Sequence, residues 1–293
     1  MEALRESLVI AGQSLRITFR SPRAILLLVI ASLAATVAGA VVIWAMSGIQ
    51  AQLDAQLAAM APDMSTTDLA NEKAAAYQAL VAHIVGDEDK AAYLSRIPLL
   101  VIVVFLGLRS FLPWFAVLLG YDQINSELQD RSARYTLLRA RRGAFLTGKV
   151  LSVIVMLGAL TIIVNFVIFA MAALLLDGLD TLLAARHLIF FWLLSLPIGF
   201  CWVAFMAFLS ASIRSPYLSL LTGLACLVGT GLLGWTARIV ETLGLARWVV
   251  PWHYGGLLLS PPGFEQILGI SGLLLFAVLF FVLAYLSLRW RDI

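Results

Sequence analysis

Six apolar runs, at residues 24–46, 97–120, 149–176, 187–211, 217–235 and 267–288, constrain this chain more than any other feature in it. A helix needs about 20 predominantly apolar residues to cross a hydrocarbon core of about 30 Å, and each run meets that length. Composition agrees: 62% of the chain is hydrophobic and 13% charged, with a mean hydropathy of +0.97, where soluble domains carry roughly 25% charge. The first run follows Arg23, is too long and wrongly flanked for a cleavable signal peptide, and is expected to stay as an anchor. Pro113 and Pro197 mark expected kinks in the second and fourth runs.

An even number of spans places both termini on one side, and the basic residues say which. Thirteen of the twenty Lys and Arg flank one face, from Arg5 to Arg291; six flank the other, and Arg109 lies within a span. The positive-inside rule makes the richer face cytoplasmic, with both termini on it. Residues 1–23 read as a cytoplasmic helix lying in the membrane surface. Leu4, Leu8, Ala11, Leu15 and Phe19 recur at helical spacing, Arg5, Arg16 and Arg20 take the other side, and Ser21-Pro22 turns the chain inward. The expected fold is therefore an all-α integral membrane protein with six transmembrane helices, forming one domain over residues 1–293.

The outer loop 47–96 is acidic and Ala-rich and is expected to be helical. Ser65 and Asp68 form a capping-box pattern, Tyr77, Leu80, Val81 and Ile84 an apolar stripe, and Gly86 a stop before Asp87 restarts a helix. The stripe is expected to pack on its own membrane domain or on a twin copy. The loop 236–266 carries Trp248, Trp252, Tyr254 and the turn "SPPG", which suits short helices dipping into the outer interface.

Catalytic chemistry finds little support. The stretch "RRGAFLTGKVLS" offers Gly143, Gly148 and Lys149 to the phosphate-binding pattern, yet Val150 stands where a hydroxyl should hold magnesium and an apolar run follows. Cys201 and Cys226 fall inside apolar runs, and His83, His187 and His253 are too far apart to suggest a metal site. The serine-hydrolase and zinc-peptidase motifs are absent from the sequence. No catalytic residue, metal or bound cofactor is expected on this chain, and no nucleic-acid partner.

The segment 121–148, "YDQINSELQDRSARYTLLRARRGAFLTG", is the most informative. Tyr121, Ile124, Leu128, Tyr135 and Leu138 repeat at helical intervals, with Gln123, Asp130 and Arg134 directed away from them. Such a helix, held by one face at the bilayer, can pass force from a soluble partner into the spans. Glu127 and Asp130, the pair Leu137-Leu138, Arg142 and then Gly148-Lys149 are similar in order and spacing to the loop between spans two and three of type-2 (ABC-2) ABC transporter permeases. Where that family often has Gly-Thr and a Pro, this chain has Ser132-Ala133 and Arg139.

The resemblance implies a non-catalytic permease half that pairs with a second permease copy and with two copies of an ABC-type ATPase, on which ATP and Mg²⁺ would be bound. It makes 121–148 the coupling region, with Asp122, Glu127, Asp130, Arg131, Arg134 and Arg142 as contact residues. Gly148 and Lys149 stand where the chain turns up into the membrane, the lysine facing lipid headgroups.

Within the spans, Arg109 needs a partner, because a charge at the centre of a membrane helix costs about 2.5–3.5 kcal/mol. It either lines a translocation path or bonds Asn165 or a carbonyl. Ala31, Ala35 and Gly39 in the first span, and Ala225 and Gly229 in the fifth, allow close helix approach; in the family a dimer seam often runs there, and packing within one subunit is equally ordinary. The expected function is ATP-driven export of a hydrophobic or amphipathic substrate. The alternatives are a permease serving maturation of an extracytoplasmic metalloenzyme, and a membrane scaffold without transport.

Overall fold

The structure, a computed structural model, describes residues 2–20, 22–60, 66–130, 138, 140–176 and 179–291, and among them there is no strand. The helices are α1 (Glu2–Arg20), α2 (Pro22–Met60), α3 (Thr66–Val85), α4 (Glu88–Leu94), α5 (Leu99–Gly120) and α6 (Asn125–Gln129). They continue with α7 (Arg142–Leu175), α8 (Thr181–Ser212), α9 (Pro216–Ile239), a 3₁₀ segment (Glu241–Val249), α10 (Pro251–Leu257) and α11 (Phe264–Arg289). Six of them, α2, α5, α7, α8, α9 and α11, are long and apolar enough to cross a membrane. The chain is an all-α membrane protein.

Helix ends depart from the apolar runs where residues of good helix propensity, or residues packed in the core, continue a helix past the run. The 39 residues of α2 run on from 46 to Met60; at 1.5 Å per residue the helix spans about 58 Å, nearly twice the membrane core. Similarly α7 begins at Arg142, not at 149, so the segment after α5 is shorter than expected. At α8 the Asp180 carboxylate accepts from the Leu183 N–H at 3.0 Å, and at α9 Ser215 accepts from Leu218 at 3.5 Å with Pro216 in the first turn. Both α5 and α8 continue through their internal prolines.

The centre of the bundle is α8, which packs on α11, α5 and α7, while α7 also carries α1 and α2. Phe105, Phe145, Phe191 and Met206 are fully buried there, and the Phe105 and Phe191 rings meet edge to face at 5.1 Å. At the rim, Leu33, Val37 and Trp44 of α2 and Leu221, Leu232 and Trp235 of α9 point outward.

Two ends of the bundle differ. The near face gathers α1, α6, the start of α7 and the ends of α8 and α11, and so both ends of the described chain. The far face carries α3, α4, the 3₁₀ segment and α10. There the predicted stripe packs on its own bundle: Val81 is fully buried, and the Tyr77 hydroxyl donates to the Ile97 carbonyl at 2.8 Å, with burial pushing its pKa up to about 12. Gly86 ends α3 at φ 71, and Asp87 caps α4. Ser65 lies outside the described residues.

On the far face α10 sits close against the bundle because small residues receive it. A Cβ on Gly272 of α11 would stand 2.2 Å from the Tyr254 ring, and one on Gly269 would stand 2.9 Å from the Tyr254 carbonyl oxygen. Trp252 packs on Trp202 of α8 at 5.8 Å and donates to Thr230 of α9 at 3.3 Å.

Candidate functional site

The segment between α5 and α7 folds differently from the long amphipathic helix its periodicity predicts. A turn at 121–124 leads into α6, only five residues long; residues 131–137 and 139, including Arg131, Arg134 and Leu137, lie outside the described ones. Gln123, expected outward, is buried, and Asn125 is fully buried, whereas Leu138, expected on the apolar face, is 83% exposed. Ile124 is buried and Leu128 packs on the core as expected, and Asp130 is exposed.

Two contacts fix α6. The hydroxyl oxygen of Ser210, near the end of α8, accepts the N–H groups of Ile124 and Asn125, both at 3.1 Å. These are the first amides of α6, which the helix cannot satisfy itself, and Ile124 at its N-cap supplies no side-chain oxygen. Ser210 therefore caps α6 from another helix. The second contact is the ion pair of Glu127 with Lys149 of α7. Lys149 is buried to 8% exposure and its ammonium also lies 5.9 Å from the centre of the Phe145 ring. This corrects the expectation that Lys149 faces lipid. It also places Glu127 inward, against a partner 22 residues along the chain. Beside these contacts, all four polar side-chain atoms of Gln123 and Asn125 are buried with no hydrogen-bond partner among the described residues, an arrangement that costs about 1–3 kcal/mol for each group left unpaired.

Gly148 is likewise not a hinge. It lies inside α7, where a Cβ would stand 2.8 Å from Ile10 and from the Ser7 carbonyl oxygen, so it is the point at which α1 crosses α7. The face of α1 that packs carries Ser7, Ile10, Ala11 and Ser14; of the predicted apolar stripe Ala11 is buried and Leu15 half-buried, while Leu4, Leu8 and Phe19 are exposed.

Two arginines of this face tie helix ends together. Arg142 donates to the last carbonyls of α11, Leu288 at 3.2 Å and Arg289 at 2.7 Å, which places a cation at the negative end of that helix. Arg291 donates to the Ser212 carbonyl at 2.6 Å, and the Ser212 hydroxyl donates to that of Ser287 at 3.1 Å. Asp122 is half-buried, and its carbonyl accepts from the Ser126 hydroxyl at 2.5 Å.

Arg109 and Asn165 are not joined. Asn165 donates to the Thr161 carbonyl at 2.8 Å, and its side-chain oxygen, the atom an arginine would need, has no partner. The Arg109 side chain lies instead against Gly255 and Gly256 of α10, where a Cβ on either would come within 3.5 Å of its guanidinium nitrogens. The small residues divide in the same way. Gly39 packs within the chain, 3.3 Å from Ile168 measured from a Cβ, and the side chains of Ala31 and Ala35 lie outside those described. Ala225 and Gly229 of α9 face outward. A cavity of about 150 Å³ opens between α2, α5 and α7, lined by Ala34, Ala38, Gly107, Phe111 and other apolar residues, with Thr161 supplying a hydroxyl.

Sequence reasoning missed Ser210, the burial of Asn125 and the Glu127–Lys149 pairing. The first had a signal, a hydroxyl at the end of an apolar run, where polar side chains join helices. The others depend on which elements the fold brings together. Among the described residues no cluster of His, Cys, Asp or Glu forms that could hold a metal.

No curated protein sequence matches the chain. The sequence pattern of the family described as ABC-2 family transporter protein matches residues 8–241, from α1 through the start of the 3₁₀ segment, and so takes in five of the six spanning helices and the pinned α6. With its six apolar helices, the chain belongs to the ABC-2 transporter family.

Proposed function

We propose that this multi-pass ABC transporter permease is driven by ATP hydrolysed on a separate ABC-type ATPase, which docks on the segment between α5 and α7. The supporting observation is the pinning of that segment: Ser210 and Lys149 hold α6 against α8 and α7, while Asp130 and Leu138 remain on the outside for a partner. A push on the segment is thereby delivered to two spanning helices. Arg131 and Arg134 belong to the same proposed docking surface. The near face is then cytoplasmic, both termini with it, in the inner membrane of a prokaryote. The exposed apolar stripe of α1 lies in the lipid surface. The cargo is a hydrophobic or amphipathic molecule moving outward, which the apolar cavity beside α2, α5 and α7 favours over a bare ion. The complex holds two permease copies and two ATPases, with Ala225 and Gly229 on the outward face of α9 available to the seam.

Affinity purification of the tagged chain from native membranes tests this reading. Co-purification of an ABC-type ATPase whose hydrolysis rate changes on reconstitution supports it. A chain recovered repeatedly without an ATPase overturns it in favour of a scaffold.

A further inference from the structure

Two features of α6 belong together. It is five residues long, too short to hold its own shape in isolation, and its fixed contacts lead to two different spanning helices. Ser210 is fully buried and accepts both leading amides of α6; Lys149 is buried and takes Glu127, two residues further along than Asn125. Two arginines of the near face bind helix ends to one another: Arg142 goes to α11 and Arg291 to α8. From Ser210, α8 runs the depth of the bundle in contact with α5 and α11 and reaches α10 on the far face through Trp202 and Trp252. From Lys149, α7 runs past the cavity to Asn165 and Ile168.

We propose that Ser210 and Lys149 are the positioning residues through which movement of α6 enters the bundle, Ser210 delivering it to α8 and the far face and Lys149 to α7 and the cavity wall. This rests on the docking reading above. It adds that Glu127 is the inner member of a transmission contact and not a group offered to the ATPase, and that the buried amides of Gln123 and Asn125 lie in the part that shifts, where a change of packing can supply partners they lack at rest.

Hydrogen exchange on the reconstituted permease–ATPase complex tests the proposal without knowledge of the cargo, using ATP with vanadate as the probe. In the wild-type complex, trapping is expected to change amide exchange at 121–141 and also in α7 and α10. In Ser210→Ala the change at 121–141 persists while that in α10 shrinks by about fivefold or more, the scale of a coupling free energy. In Lys149→Gln the loss falls on α7. The exchange of charges in E127K/K149E restores the α7 response; a single variant that keeps assembly and resting exchange yet loses the spread is what a merely structural role does not predict.

Variants that assemble and spread the change as the wild type does overturn the assignment while leaving ATPase docking intact. A wild-type complex that shows no change at 121–141 removes the docking reading and this one with it. Should a single variant fail to assemble, the charge exchange decides: restored spreading supports the proposal, and assembly without spreading overturns it.

Discussion

The two faces of the bundle are held by different physics. At the near face the joints are charges and hydrogen bonds between helices: Glu127 with Lys149, Arg142 on the last carbonyls of α11, Arg291 on α8, and Ser210 on the first amides of α6. At the far face the joints are shapes: the Tyr254 ring seated against Gly269 and Gly272, Trp252 on Trp202, and Arg109 along Gly255 and Gly256. Directional polar contacts can be broken and remade with other polar groups or with water at a membrane boundary. A ring seated on glycines has one good position. The contrast suits a near face that takes part in a cycle and a far face that follows as a unit.

Lys149 offers the largest test of this contrast. Replacing it with Met removes the lysine end of a part-buried pair, in which the Lys149 side chain is 10% and the Glu127 side chain 26% exposed, so the loss is expected to stay below the about 3–5 kcal/mol of a fully buried pair broken from one side. The thermal midpoint in detergent is expected to fall by several degrees, and the double variant E127Q/K149M is expected to recover most of the loss, because it removes both charges. A single variant that melts with the wild type would show that water replaces lysine easily, and that the near face is softer than its contacts suggest.

The far face is probed by volume. In Gly272→Val the new side chain starts where the Tyr254 ring stands, 2.2 Å away for Cβ alone, and overpacking of this kind costs about 1–3 kcal/mol. Pairing it with Tyr254→Ala should relieve most of that clash in a thermal melt, as expected of contacting positions. Gly148 is the near-face exception, a shape joint where α1 crosses α7, so Gly148→Val is expected to behave like Gly272→Val and unlike any charge variant. Equal sensitivity of Lys149→Met and Gly272→Val to added salt would break the comparison, since screening acts on the ion pair and not on the packed ring.

How much of this was legible in the sequence follows the same division. The six spanning helices were readable because hydrophobicity accumulates over about 20 residues and tolerates local exceptions. Their ends were not: α2 continues to Met60 on residues such as Ala and Gln that favour helix without forming an apolar run, and α7 starts at Arg142, where burial of Phe145 and Leu146 carries the helix through two glycines. Within 121–149 Glu127 and Lys149 stand out in the sequence, but that they pair with each other does not. Periodicity assigns a residue to a side of its own helix and cannot say that another helix supplies the opposite charge. Arg109 shows the same limit, since the glycines it meets stand well over a hundred residues away in a loop read as interfacial. Gly148 reads in the sequence as the place where the chain turns into the membrane, whereas the fold uses it, inside α7, for close approach.

Asp87 supplies the smallest test, as a charged contact on the shape-held face. Its carboxylate accepts from the Lys90 N–H at 3.3 Å and caps α4, and the Lys90 side chain pairs with it at 2.8 Å. The hydrogen bond from that side chain holds the Asp87 carboxyl below its usual pKa of 3.8. A carboxyl lowered on folding stabilises fully above its unfolded pKa, and the contribution is lost as the pH falls through the lower folded value. Protection of the first amides of α4, corrected for intrinsic exchange, should therefore hold at pH 6 and weaken below about pH 4. Asp87→Ala should weaken it at both, by up to about 1 kcal/mol, the ordinary worth of an N-cap. The carboxylate is largely solvated, so screening by water keeps this effect well below that of Lys149. If Asp87→Ala instead rivals Lys149→Met, the far face depends on charge after all, and the distinction between the two ends reduces to how deeply each polar joint is buried.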